Sequence, residues 1–157
     1  MKYTKKELTF KEFEKIEYVL NKEEFSESEK VFNMLAIAFG GNKEDYEKMT
    51  VKQIEKLHPK LEKIMNPAIK FEPFFDWKGE RFFIVPNFEK ESAGAIIDMD
   101  NYFQNGEIIP LFNVLFRPLD GKVKNGMYNI EKYTGKQYFD DLPYRIVLST
   151  LDFFAKS

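Results

Sequence analysis

Apolar residues recur three and four positions apart through most of residues 1–66, and each run opens behind a cap. Thr9-Phe10-Lys11-Glu12 fits a capping box, in which the Thr oxygen and the Glu carboxylate satisfy orphan amide donors. Phe10, Phe13, Ile16 and Leu20 follow at helical spacing, and Asn21-Lys22 breaks the pattern. Ser26-Glu27-Ser28-Glu29 is a second capping box, leading Val31, Phe32, Leu35, Ala36 and Phe39. Gly40-Gly41 stops that helix, since glycine takes left-handed backbone cheaply. The first two helices are expected to pair antiparallel. Asn42 is placed to cap a short turn over Lys43–Lys48. Thr50-Val51-Lys52-Gln53 is a third capping box, before Val51, Ile54, Leu57, Leu61 and Ile64. Pro59 lies within that run and predicts a kink or a split, because it lacks a donor and clashes with the preceding turn. Asn66-Pro67 ends it.

The period then changes from helical to alternating. Lys78-Gly79 reads as a two-residue hairpin loop between Phe71–Trp77 and Glu80–Pro86. Counting outward opposes Trp77 to Glu80, Asp76 to Arg81, Phe75 to Phe82 and Phe74 to Phe83. Alternation puts Phe71, Phe75, Trp77, Phe82 and Ile84 on one face. Phe74, Phe83 and Val85 share the other with the opposed charges Asp76 and Arg81. Pro73 removes a ladder donor, which makes the first strand an edge. A two-stranded ribbon must be covered. One face can pack on the chain's own helices; the second needs another layer or a partner. The plainer alternative is that the chain covers both. The expectation adopted is that the Phe74, Phe83 and Val85 side, with the free edge at Pro73, meets another protein chain.

Two apolar helices are predicted next, Ala93–Gln104 capped by Ser92 and Glu107–Phe116 closed by Arg117-Pro118. Ile96, Phe112, Leu115 and Phe116 are expected to be buried. Asp120-Gly121 and Asn125-Gly126 mark an exposed loop or small hairpin, with Met127–Tyr133 extended. Asp141-Leu142-Pro143 predicts a last helix, with Asp141 as cap and Pro143 near its first position. The whole is expected to be an α+β fold: one domain over residues 1–157, mostly helical, with five to six helices and one central β-hairpin. A compositional shift near Asn66-Pro67 separates a helical half, 1–66, from a hairpin-plus-helices half, 67–157.

Composition narrows the chemistry. Residues 71–118 hold nine of the seventeen phenylalanines and the only tryptophan. There is no cysteine, so neither a disulfide framework nor a thiolate metal site is possible. His58 is the one histidine, which excludes histidine clusters and ordinary Ser-His or Cys-His catalysis; no partner residues flank it. Residues 1–70 carry 14 basic and 13 acidic side chains, and residues 71–157 carry 10 and 13. That balance disfavours sequence-independent nucleic-acid or anionic-membrane binding. No signal peptide or transmembrane span is read. Asp98 and Asp100 sit on a polar helix face without a base or metal partner, and two lysines in a loop, Lys122 and Lys124, read as solvated. No phosphate loop, dinucleotide fingerprint, nucleophile elbow or zinc spacing occurs. No catalytic residue, cofactor or metal is expected.

The order of segments does resemble a known group. Leu8-Thr9-Phe10-Lys11-Glu12-Phe13 opens a helical pair ahead of a hairpin with a Lys-Gly turn. Glu91-Ser92-Ala93-Gly94-Ala95-Ile96-Ile97-Asp98-Met99 follows, then Ile109-Pro110-Leu111-Phe112-Asn113-Val114-Leu115-Phe116-Arg117-Pro118. This is similar to small virion or tail-assembly proteins of tailed bacteriophages, in particular those of gut Bacteroidota phages. The resemblance implies a non-enzymatic structural or assembly role, with other virion chains as partners, located in the virion or the host cytoplasm. The alternative is a small cytoplasmic adaptor or inhibitor that binds one protein partner.

Overall fold

The computed structural model describes residues 3–5 and 7–157. Local capping decides where the first helices begin. The boxes at Thr9, Ser26 and Thr50 all form, and they start α1 (Phe10–Leu20), α2 (Glu27–Phe39) and α4 (Val51–Met65). Asn42 and Asp45 make a fourth box at α3 (Lys43–Glu47). α4 runs unbroken through Pro59.

The chain forms two compact units. The first comprises Met1–Lys70 and Pro143–Ser157. Its core gathers Leu8, Ile16, Leu35, Tyr46, Leu57 and Leu61. The Tyr46 hydroxyl donates to Gly40 O at 2.7 Å. Burial pushes that hydroxyl up to about 12. The last helix, α7 (Tyr144–Ala155), joins this unit rather than the second half. Its Tyr144 N–H donates to Leu8 O at 2.9 Å, and its Tyr144 ring stacks on Phe13 with centroids 3.9 Å apart. The capping expectation for α7 is corrected. Pro143 is itself the cap, and the Asp141 carboxylate accepts from the Leu142 N–H instead of a helical amide. The division at residue 66 is corrected too, since residues 143–157 return to the N-terminal helices.

The second unit is Phe71–Leu142. Strands β1 (Phe74–Trp77) and β2 (Glu80–Ile84) pair in the expected register, Phe74 with Phe83 through Trp77 with Glu80. Lys78 and Gly79 both have positive φ, 50° and 80°, as the tight turn requires. Arg81 Nε meets Asp76 Oδ1 at 2.8 Å across the ladder. A third strand, β3 (Phe116–Arg117), lies on the other side of β2, so the sheet order is β1-β2-β3 and β1 is an edge, as expected. Phe116 therefore leaves the helix it was expected to end; α6 spans Ile108–Leu115. Rings from Phe75, Phe82, Phe112, Phe116 and Phe139 fill one side of the sheet, with Phe82 and Phe139 centroids 4.6 Å apart. The fold is α+β and helix-dominated, with seven α-helices and one three-stranded sheet among the described residues. No helix among them is long and apolar enough to cross a membrane.

Candidate protein-binding surface

The hairpin face expected to meet a partner is covered within the second unit. Phe83 and Val85 are only 8% and 4% exposed, and they pack with Ile130, Leu119 and Tyr128. Residues 119–130 supply that layer. They fold as a second hairpin around Asn125-Gly126, whose φ values of 54° and 75° suit a tight turn. The Tyr128 ring lies 5.0 Å from Phe83, and its hydroxyl donates to Ile84 O at 2.8 Å. Phe74 is half-buried under the Arg81 guanidinium, 4.5 Å from its ring centroid, and Pro73 alone of the four is exposed. The correction has a simple cause: a loop, and not a helix, provides the missing layer.

Several large apolar side chains are exposed, among them Val51 and Met127, and α5 (Ala93–Gln104) carries three of them. Ser92 caps this helix by accepting from the Ala95 N–H at 3.1 Å. Ala95 is wholly buried, and Met99 and Tyr102 are half-buried on the same side. Ile96, Ile97 and Phe103 face outward, 40%, 59% and 64% exposed. Ile96 was expected in the core. Helical geometry explains the difference: at 100° per residue, Ile96 and Phe103 lie within about 20° of one another, and Ala95 lies about 100° away from Ile96. Asp100 sits between them on that face and accepts from Gln104 Nε2 at 3.1 Å. Asp98 points to the other side, where it accepts from the Tyr133 hydroxyl at 2.6 Å. Burial, reinforced by that carboxylate, holds Tyr133 protonated well above the usual tyrosine range.

Two polar residues in the second unit escaped the sequence reading. Asn113, wholly buried in α6, accepts from the Tyr138 and Phe139 N–H groups and donates to Ile109 O and Phe139 O. Arg117, 2% exposed, donates to Val114 O at 3.1 Å, to Glu131 O at 2.7 Å and to the Glu91 carboxylate. Together they tie residues 131–139 to α6 and β3. The signal was available: Asn113 is a lone polar side chain inside the apolar run from Ile108 to Phe116 and Arg117 stands at its end, where burial demands full pairing. His58, by contrast, lies at the surface near Glu62, with Nδ1 3.5 Å from the carboxylate. Among the described residues no group of three or more His, Asp or Glu side chains is placed to hold a metal ion.

No family model matches the chain, and no curated protein or solved structure is similar to it.

Proposed function

We propose that this chain is a structural or assembly protein of a tailed-bacteriophage virion, and that it works by protein–protein contact rather than catalysis. The observation that supports this best is the α5 surface. Three large apolar side chains, Ile96, Ile97 and Phe103, stand exposed on one helix beside a single carboxylate. Ile96 and Phe103 share a face to within about 20°, while Ile97 stands about 100° round the helix from Ile96; exposed apolar residues gathered on one element mark contact sites more often than ones scattered singly do. Full burial of such a side chain is worth roughly 1.5–3 kcal/mol, and with 40–64% of each still exposed about half of that remains for an interface, enough for the three to anchor one. The segments from Glu91 to Met99 and from Ile109 to Pro118, which carry the resemblance to phage proteins, include most of this helix. The partners are other chains of the particle, further copies of this one among them.

The test uses virions of the phage that encodes the chain, purified and examined by mass spectrometry, alongside the double variant Ile97→Asp with Phe103→Asp. The wild-type chain is expected in the particle. The variant is expected to keep the native Trp77 emission while dropping out of the particle. A chain abundant in infected cells but missing from virions would sink this reading in favour of a small cytoplasmic adaptor or inhibitor.

A further inference from the structure

The second unit carries a basic cleft that none of the exposed apolar side chains of α5 lines. A space of about 830 Å³ opens between the turn at residues 86–90 and the hairpin at residues 122–129. Lys90, Lys122 and Lys124 line it, with no carboxylate among its lining residues. None of the three makes an ion pair among the described residues. A second space of about 490 Å³ shares Pro86, Asn87, Lys90 and Asn129 with the first and adds Lys132. Its carboxylates are Asp120 and Glu91, and Glu91 is already matched by Arg117.

This concentration runs against the surrounding charge. Residues 71–142 hold six lysines and two arginines against twelve acidic side chains, a net of −4. Four of those six lysines nonetheless face the joint cleft. Gathering like charges on one side of a small acidic unit is unfavourable by itself, and an anionic occupant relieves it.

The lining also discriminates between anions. Each guanidinium nitrogen of Arg117 already donates within the unit and the side chain is 2% exposed, so no open fork is set out to clasp a phosphate in two places. The aromatic residues in the lining are Tyr128 and Tyr133. Both are half-buried and held by their hydroxyls, which leaves neither lining ring set out for a base to stack on. Dispersed lysines do suit carboxylates spaced along an extended chain. Met127, 71% exposed in the cleft wall, and Val123, 48% exposed on the same hairpin, offer apolar contacts between the charges.

We infer that the cleft between residues 86–92 and 120–133 receives an acidic, extended segment of a partner polypeptide. The site does not include the exposed Ile96, Ile97 and Phe103 side chains of α5, and the two proposals fail or stand separately.

The probe is a fluorescein-labelled peptide of alternating glutamate and leucine, titrated against the full chain by fluorescence anisotropy. Saturable binding is expected. Lys122→Glu with Lys124→Glu should weaken it about tenfold or more, as reversal of paired charges does. Lys122→Gln with Lys124→Gln should weaken it less, and Lys56→Glu on α4 should leave it unchanged. Ile97→Asp with Phe103→Asp should also leave it unchanged. All these lysines are exposed; Trp77 emission reports whether the variants in the second unit are folded, and far-UV circular dichroism reports it for Lys56→Glu. Failure to saturate would overturn the inference, as would an affinity indifferent to the Lys122 and Lys124 changes. So would an oligothymidylate, run in parallel, that binds more tightly through the same lysines.

Discussion

Asn113→Ala tests how the second unit is held together. The side chain is wholly buried and makes four hydrogen bonds. Its Oδ1 accepts from the Phe139 N–H at 2.9 Å and from the Tyr138 N–H. Its Nδ2 donates to Ile109 O at 3.0 Å and to Phe139 O at 3.3 Å. Alanine removes all of these at once. Two backbone donors and one carbonyl of residues 138–139 then lose their partner. A buried donor left unsatisfied costs roughly 1–3 kcal/mol. Phe139 is 4% exposed and takes the upper part of that range; Tyr138 is half-buried and takes the lower. With a small term for the lost volume, the expected loss is about 3–5 kcal/mol. Urea unfolding followed by Trp77 emission measures it, since the only tryptophan lies in the same unit. The midpoint should fall with little change in slope. Hydrogen exchange should show the Tyr138 and Phe139 amides losing protection ahead of those in β2. Asn113→Asp sharpens the test, because it keeps the acceptor but turns a carboxylate oxygen toward two carbonyls. Its folded pKa should rise above the unfolded value of roughly 4. Its stability is then fullest below that pH and is lost as pH rises through the folded value. An Asn113→Ala loss under about 1 kcal/mol, with exchange at residues 138–139 unchanged, would mean that Asn113 does not hold residues 138–139 in place.

Three further outcomes follow from the packing. Phe83→Asp should unfold the second unit, since it buries a carboxylate against Val85, Ile130 and Tyr128; a folded variant with native Trp77 emission would restore this face as a surface. Alkali should destabilise the protein, because burial holds Tyr46 and Tyr138 up at about 12 against the ordinary 10.0. With folded values above unfolded ones, that stability is complete below pH 10 and is lost as pH rises from 10 toward 12; phenolate absorbance during alkaline unfolding reads it, and full titration of every tyrosine at the ordinary value in the folded protein would contradict it. Thr50→Ala should cost about 1 kcal/mol by removing the α4 cap, measured as a thermal or urea midpoint shift.

What the sequence settled by itself is what neighbours in the chain settle. The helix starts at Thr9, Ser26 and Thr50 need only residues three positions on, and all three boxes form as read. The register of Phe74–Trp77 on Glu80–Phe83 follows from a two-residue turn and is equally local. α5 was placed at its observed limits from its cap and its period, yet which of its residues would be covered was not a local matter. Ile96 and Ala95 are adjacent in sequence, and only the position of the neighbouring elements leaves one exposed and the other buried. Phe83 illustrates the same limit from the opposite side. Its cover comes from Tyr128 and Ile130, brought over the sheet by a hairpin whose own pattern is polar. α7 joins the first unit through a hydrogen bond from the Tyr144 N–H to Leu8 O, across most of the chain. The four lysines of the basic cleft are likewise scattered between residues 90 and 132, and each alone reads as solvated. Caps and turns satisfy hydrogen bonds within a few residues, so their energy is written in short stretches of sequence. Apolar burial and charge proximity depend on which distant surface arrives, and only the assembled tertiary structure decides that.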